Sequence, residues 1–441
     1  MIGKTREFLG SLFARQGFMK ILRNGAWVSS DRILRLGFSL IVGALMARYL
    51  TPNLYGAFNY ASSFVALVSV FATLGLENIV IREIVKAPSR RDEILGTAFF
   101  LKLFGGLFVI CVTGILILFV RPGDAMASGL VILTGLAFIP QAIYTIDFYF
   151  QAELRSKYTV IANSIAFVTC SIAKLTFIYL GASVYVFVAL SSLETLIGGI
   201  GIYIFYKRLG FNLSGWRFDR SVAFGLLKDS WPLIFSGVAI MIYMRIDQVM
   251  VGNMLGNTSL GQYSAAVKIS EVWYFLPLAI VASVYPKIVE LKQRSEAEYH
   301  LRLQQLFNLM CLMGYVVGGI FCFASKDIIG FVFGKQYAMA KDILSVHIWT
   351  GLFIAIGVAR GNWLISENRT RFQFMTTAMG AVINILLNIV LIKRYGGIGA
   401  AWATLISQAI VGYFSTILID RKIFLMETRA LLFDWRAFAK L

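Results

Sequence analysis

The sequence predicts an all-α integral membrane protein with about twelve transmembrane helices in two six-helix bundles. Two observations support this prediction. Apolar residues make up 58% of the 441 residues, and apolar runs of about 20 residues, enough to cross about 30 Å of hydrocarbon, recur along the chain. Charged residues make up only 15%, against roughly 25% in soluble domains. The composition therefore excludes a large aqueous domain.

The predicted spans are separated by breaks that contain charged residues, Gly or Pro. In chain order they lie near residues 25–48, 56–80, 95–120, 129–150, 159–181, 184–206, 231–255, 262–286, 306–325, 344–366, 373–392 and 399–420. The two bundles accordingly occupy residues 24–210 and 231–420, joined by a cytoplasmic linker at 211–230. A basic amphipathic segment at 1–23 and an amphipathic tail at 421–441 are expected on the cytoplasmic side.

The positions of the 41 Lys and Arg residues predict the orientation of the chain. Most of them lie in the N-terminal segment, in alternate short loops and in the C-terminal tail, so that one side of the membrane receives a large excess. Such an excess marks the cytoplasmic side. We therefore expect a multi-pass membrane protein with both termini in the cytoplasm. The net charge of +18 is explained by topology and anionic lipid, and no nucleic-acid partner is expected.

A weak internal repeat relates the two predicted bundles. Residues 50–61 (LTPNLYGAFNYA) align with residues 255–266 (LGNTSLGQYSAA) at an offset of 205, and residues 153–155 align with residues 367–369. Matches at the same ordinal positions predict parallel repeats related by a pseudo-twofold axis along the membrane normal, an arrangement typical of alternating-access transporters. The alternative is that such Gly-aromatic-small turns recur by chance in membrane proteins.

Three segments resemble the polysaccharide flippases of the multidrug/oligosaccharidyl-lipid/polysaccharide (MOP) superfamily. They are residues 384–404 (NILLNIVLIKRYGGIGAAWAT), 47–56 (ARYLTPNLYG) and 333–340 (FGKQYAMA). In that family, O-antigen flippases carry undecaprenyl-diphosphate-linked oligosaccharides from the cytoplasmic to the periplasmic leaflet. The resemblance implies a location in the bacterial inner membrane. It also implies a lipid-linked oligosaccharide and membrane lipids as partners, with a glycan polymerase and a chain-length regulator as further candidates.

Asn384 and Asn388 lie four residues apart and therefore on one helical face. Their amides can bind neighbouring helices or face a polar lumen, and the sequence favours the structural role over direct sugar contact.

Charges inside the predicted spans are the main candidates for function, because a charge in hydrocarbon is costly unless it faces a partner or a hydrated cavity. The candidate substrate-binding cations are Arg35, Arg245, Arg32, Lys268 and Lys174. Intramembrane cations outnumber the anions, which suits a diphosphate headgroup. Arg35 and Arg245 fall near the midplane of corresponding spans, so we expect both to reach one diphosphate.

Structural pairing is the alternative for each cation. Asp31 precedes Arg35 by one helical turn, Arg245 can pair with an acid on another helix, and Lys268 and Glu271 are three residues apart. Lys174 and Glu194 lie on adjacent spans at similar depth, where a structural pair is favoured. Asp31 and Arg32 lie nearer the cytoplasmic mouth and could receive the headgroup first.

No catalytic residues, metal site or phosphate-binding loop can be identified, so we expect a transporter without a cofactor rather than an enzyme. Coupling to a proton or sodium gradient would need a carboxylate, for which the candidates are Asp31, Asp147, Asp247 and Glu271. For each of them the sequence favours a role as a salt-bridge partner over coupling. Two other functions stay open. A cation-coupled drug or small-molecule exporter of the same superfamily is disfavoured by the basic intramembrane balance, and a membrane glycan polymerase or glycosyltransferase by the short non-cytoplasmic loops.

Overall fold

The computed structural model is all-α over the part of the chain that it describes, as the sequence predicts. It describes the backbone of residues 2–292 and 294–432, and the side chains of residues 27, 35, 37–285, 287–292 and 294–432. The predicted N-terminal segment is helical, and the predicted tail forms a helix up to residue 431. Residues 433–441 of that tail lie outside the described residues.

In chain order the helices are α1 (Ile2–Val68), α2 (Val70–Thr73), α3 (Glu77–Lys86), α4 (Arg91–Val120), α5 (Ala125–Gly135), α6 (Phe138–Gln141), α7 (Thr145–Ala152), α8 (Lys157–Tyr179), α9 (Val184–Arg208), α10 (Arg220–Glu271), α11 (Phe275–Lys292), α12 (Glu296–Phe323), α13 (Ser325–Val332), α14 (Ala340–His347), α15 (Thr350–Ser366), α16 (Thr370–Gly412) and α17 (Arg421–Leu431).

Three long helices are each kinked by one residue with non-helical backbone angles. These residues are Thr51 in α1 (φ 63°, ψ 163°), Gly256 in α10 (φ 81°, ψ 175°) and Gly396 in α16 (φ 63°, ψ −143°). Each lies at a predicted break between two spans. Within the described residues, eight helical segments are long and apolar enough to cross a membrane, or nine if one bent pair counts as a span. Because segments run across kinks, twelve crossings stay a prediction.

The predicted span 56–80 is divided among α1, α2 and α3, and Leu74 and Gly75 between α2 and α3 have positive φ. Two further predicted spans, 129–150 and 262–286, are also interrupted in the structure. The first is divided among α5, α6 and α7, and the second between α10 and α11. Both contain a proline, Pro140 and Pro277, which lacks the backbone N–H and crowds the carbonyl one turn earlier. The predicted span 344–366 is also divided, between α14 and α15, and nothing in the structure explains that break.

The described residues group into two compact units. Unit 1 contains residues 2–46 and 68–237, and unit 2 contains residues 47–67 and 238–432. Segment 47–67, which the sequence places in the first bundle, therefore belongs to unit 2 by its contacts. In unit 1 a buried apolar core includes Leu76, Leu95 and Ile146.

The repeated sequence segments pack against each other inside unit 2. A Cβ added at Gly56 would lie 1.8 Å from the carbonyl oxygen of Asn257, and one added at Gly261 would lie 1.9 Å from that of Pro52. Positions 52 and 56 correspond to positions 257 and 261 at the repeat offset of 205. The two contacts are therefore equivalent under the repeat, and only glycine allows the backbones to approach so closely. We call residues 51–56 and 256–261 the repeat junction.

A third segment, residues 332–337, lies next to the repeat junction in unit 2. The guanidinium of Arg48 donates a hydrogen bond from Nε to the carbonyl oxygen of Val332 at 3.0 Å. The Tyr337 hydroxyl donates to the carbonyl oxygen of Ala47 at 2.8 Å. Two of the three segments that resemble the flippase family, 47–56 and 333–340, are thus connected by hydrogen bonds.

Candidate functional site

A polar cavity of about 370 Å³ lies in unit 2. It is formed by α1 beyond its kink and by the two arms of α10 on either side of Gly256. Its lining residues are Phe58, Asn59, Ser62, Ser63, Ala66, Arg245, Gln248, Ser264, Val267, Lys268 and Glu271. Three of the predicted site residues are therefore found together in one cavity.

The charged part of the cavity contains Arg245, Lys268 and Glu271. Arg245 Nη2 lies 3.6 Å from Glu271 Oε2, and the two side chains are 31% and 26% exposed. Among the residues that the structure describes, this ion pair is the single polar side-chain contact of the Arg245 guanidinium. Among the described lining residues, two cations and one carboxylate are present. The predicted alternative was that Arg245 pairs with an acid on another helix. Its partner is Glu271, which lies on the other arm of α10, in the next predicted span.

The neutral part of the cavity was not predicted from the sequence. The Ser63 hydroxyl donates to Gln248 Oε1 at 2.7 Å, and Asn59 Nδ2 donates to the carbonyl oxygen of Tyr55 at 2.7 Å. Positions 59, 62, 63 and 66 recur with helical spacing, so small and polar side chains share one face of α1. That periodicity inside an apolar span was the signal that could have revealed them.

Asp247 lies beside the cavity but is itself buried, with 5% of its surface exposed. Its carboxylate accepts hydrogen bonds from the Tyr263 hydroxyl and from the backbone N–H of Gln248, the latter at 2.7 Å. The Thr404 hydroxyl lies 3.5 Å from the same carboxylate. Over the described part of the chain, no Lys or Arg forms an ion pair with Asp247. Asp247 is thus an intramembrane carboxylate held by neutral donors.

Asn384 and Asn388 are buried in unit 2 and bonded to each other. Asn388 Nδ2 donates to Asn384 Oδ1 at 2.9 Å, and Asn384 Nδ2 donates to the Ser407 hydroxyl at 3.1 Å. Ser407 in turn donates to the backbone carbonyl of Thr404 at 3.1 Å. The Asn388 Oδ1 oxygen has no hydrogen-bond donor among the described residues. We call Asp247, Tyr263, Thr404, Ser407, Asn384 and Asn388 the Asp247 cluster.

The remaining predicted site residues lie in unit 1. Lys174 Nζ is 3.2 Å from Glu194 Oε2, which favours the structural pair over substrate binding. The Asp147 carboxylate accepts hydrogen bonds from the Gln151 amide, at 2.9 Å, and from the Thr159 hydroxyl.

The guanidinium carbon of Arg35 lies 5.2 Å from the ring centroid of Phe167, within cation–π range. The side chains of Asp31 and Arg32 lie outside the described residues. The joint action of Arg35 and Arg245 on one diphosphate stays a prediction.

Comparison with protein-family models gives two matches. Residues 21–292 match the model described as "Polysaccharide biosynthesis protein", which covers more than half of the chain. Residues 232–390 match the model described as MatE.

Individual relatives agree with the first match. The probable low-salt glycan biosynthesis flippase Agl15 of Haloferax volcanii is 22% identical over 395 residues, which cover 89% of this chain and 82% of the relative. A Shigella flexneri protein, provisionally named an O-antigen transporter, is 21% identical over 395 residues. The match covers 87% of this chain and 94% of the Shigella protein. The lipid II flippase MurJ, solved in an inward closed conformation, aligns with a TM-score of 0.70 at 18% identity, covering 93% of this chain and 91% of that one. That likeness establishes the fold.

Proposed function

The chain belongs to the family of polysaccharide biosynthesis proteins in the MOP superfamily, and on that premise we propose that it flips a lipid-linked oligosaccharide. The proposed substrate is an undecaprenyl-diphosphate-linked O-antigen or similar repeat unit, moved from the cytoplasmic to the periplasmic leaflet of a bacterial inner membrane. Both termini would be cytoplasmic, and a glycan polymerase and a chain-length regulator are the proposed partners. The observation that supports this substrate best is the cationic cavity of unit 2.

Arg245 and Lys268 provide the proposed phosphate site. An arginine offers five N–H donors in a planar arrangement that matches phosphate oxygens, and Lys268 adds a second positive charge. Ser62, Ser63 and Gln248 on the neutral side of the cavity offer hydroxyl and amide groups to a sugar. The polyprenyl tail would remain in the lipid, so the cavity needs to hold only the polar headgroup. Arg35 is proposed to contribute a second guanidinium.

The repeat junction is proposed as the barrier to outward release. Phe58 and Ser264 line the cavity, and they follow the junction glycines Gly56 and Gly261 by only two and three residues. The cavity therefore begins within one helical turn of the junction. By the predicted topology the junction faces the periplasm. For alternating access, residues 51–56 and 256–261 must separate before the headgroup can leave.

Asp247 is the carboxylate that we propose for coupling to a proton or sodium gradient. It is buried, and its neighbours Tyr263 and Thr404 are neutral oxygen-bearing groups. Oxygen ligands suit both a proton and a hard cation such as sodium. Glu271 is instead engaged with Arg245, which makes it the weaker candidate.

The test is a leaflet-accessibility assay in proteoliposomes with a defined fluorescent lipid-linked oligosaccharide. We expect Arg245→Ala to reduce the flipping rate at least tenfold, equivalent to about 1.4 kcal/mol of lost stabilisation, with Arg35→Ala also inactive. Arg302→Ala is the matched control, because Arg302 is exposed and lies outside the cavity. Full activity of both the Arg35→Ala and the Arg245→Ala proteins would refute the cationic site.

A cation-coupled exporter of small molecules is the second candidate, favoured by the MatE match at residues 232–390. Drug susceptibility of a deletion strain separates the two functions. Loss of a surface glycan with unchanged drug susceptibility is expected for the flippase, whereas the reverse result would favour the exporter.

A further inference from the structure

The ion pair between Arg245 and Glu271 is incompletely formed. The separation of 3.6 Å between Nη2 and Oε2 exceeds the usual 2.7–2.9 Å of a charge-assisted hydrogen bond. Among the described residues, the Glu271 carboxylate accepts no hydrogen bond and the Arg245 guanidinium donates none. Both groups nevertheless line the same cavity. Their hydrogen-bonding capacity is thus available to a ligand.

A second carboxylate of unit 2, Glu367, is exposed to a similar extent but forms a shorter ion pair. Glu367 is 24% exposed, and its Oε1 lies 2.5 Å from Lys292 Nζ. The same oxygen accepts a hydrogen bond from the Tyr299 hydroxyl at 3.4 Å. Glu367 does not line the cavity. Partial exposure therefore does not by itself impose the longer separation at Glu271.

We propose, on the basis of the proposed function, that Glu271 is a displaceable counter-ion of the phosphate site. It neutralises Arg245 while the cavity is empty and gives way to a phosphate group when the substrate binds. An unpaired arginine in a membrane-embedded cavity is costly, so a carrier that returns empty needs an internal anion. Because the carboxylate competes with the phosphate, it also weakens binding and favours release.

The displaced Glu271 carboxylate can reach a second cation, Lys268. Lys268 precedes Glu271 by three residues on the same arm of α10, a spacing at which oppositely charged side chains meet on a helix surface. Glu271 can therefore exchange Arg245 for Lys268 by a change of rotamer. The negative charge then stays compensated in both states and Arg245 is left to the phosphate, while the positive charge that Lys268 offers the phosphate is reduced by the new pair.

The test measures affinity for geranylgeranyl diphosphate in detergent by calorimetry, with geranylgeraniol as the uncharged control. We expect Glu271→Gln to bind the diphosphate about tenfold more tightly than the wild type, because the competing charge is removed and the shape is kept. Glu367→Gln is the matched control and should leave the affinity unchanged. In an Arg245→Ala background, Glu271→Gln should have little effect, because the site of competition is absent.

A flipping measurement separates this role from a structural one. Tighter binding slows release, so Glu271→Gln should flip substrate more slowly while binding it better, a combination that misfolding does not produce. If Glu271→Gln does not yield monodisperse protein, Glu271→Asp is used, whose shorter reach should give a smaller gain in affinity. Unchanged or weaker binding by these variants, with weaker binding by Arg245→Ala, would overturn the counter-ion role alone. Unchanged binding by Arg245→Ala would overturn the proposed phosphate site itself.

Discussion

Substitution of Gly56 by alanine tests the close approach of the two repeated segments. The new Cβ would lie 1.8 Å from the carbonyl oxygen of Asn257 and 2.9 Å from the backbone nitrogen of Gly261. Both contacts are with backbone atoms, so no side chain can rotate away and the two segments must move apart. Forced overpacking of this kind costs about 1–3 kcal/mol. We expect Gly56→Ala to lower the stability of unit 2.

Gly43→Ala is the matched control in the same helix. No atom outside the local helix lies within 4 Å of a Cβ at Gly43, so this change only increases helix propensity, by about 1 kcal/mol. The same gain applies at Gly56, which is also helical. The difference between the two variants therefore isolates the overpacking, about 1–3 kcal/mol. Thermal unfolding in detergent should show a midpoint a few °C lower for Gly56→Ala than for Gly43→Ala.

The equivalent change at Gly261 makes the experiment sharper. A Cβ there would lie 1.9 Å from the carbonyl oxygen of Pro52, so Gly261→Ala should resemble Gly56→Ala. Once either substitution has separated the segments, the second meets less resistance, and the double variant should lose less than the sum of the single losses. Equal unfolding midpoints for Gly56→Ala and Gly43→Ala, or strictly additive losses in the double variant, would refute this reasoning.

Three further predictions concern a strained turn, a buried acid and the coupling carboxylate. Thr51 has φ 63° and ψ 163°, a region essentially restricted to glycine that costs of order 1–3 kcal/mol, so Thr51→Gly should raise the unfolding midpoint, and a lower midpoint would contradict the strain. In α17, burial raises the pKa of Glu427 from 4.5 to about 8. The folded protein therefore binds more protons than the unfolded chain between these values, and stability should fall as the pH rises from about 4.5 to 8. Glu427→Gln should flatten this dependence in thermal unfolding, and an unchanged pH profile would argue against it. Asp247→Asn should make flipping in proteoliposomes independent of an imposed proton or sodium gradient, whereas a retained gradient response would assign coupling to another group.

The helical fold was predictable because its signals are local. Membrane-length apolar runs determine the helices, and the kinks at Thr51, Gly256 and Gly396 coincide with the breaks between predicted spans. The interruptions near Pro140 and Pro277 carried an equally local signal, but the apolar runs continue across them and concealed the breaks. The close packing of the two repeated segments depends on how closely their backbones approach each other. The repeat in the sequence suggests that the segments are related but does not specify this contact.

The candidate site was only partly predictable. Charges are rare in these spans, so Arg245, Lys268 and Glu271 stood out from an apolar background. Their pairing depends on distances between segments that no local pattern contains. Ser63 was missed because serine is common in membrane helices. His347 is buried, with its Nδ1 2.9 Å from the Ser270 hydroxyl, a contact between segments that no local sequence pattern contains.

If the repeat junction is the proposed barrier, it must be both closely packed and separable. At Gly56 and Gly261 the contact is between backbone atoms, so the two glycines themselves have no side chain to withdraw when the segments separate. The strained backbone at Thr51 would further reduce the free-energy difference between the joined and separated segments if the strain relaxes on opening. The glycine contact holds the segments together, and Thr51 destabilises the closed turn. The two effects together would favour a barrier for which both the joined and the separated state are accessible. Such a barrier is what a carrier needs if the polar cavity directly beneath it is to face each leaflet in turn.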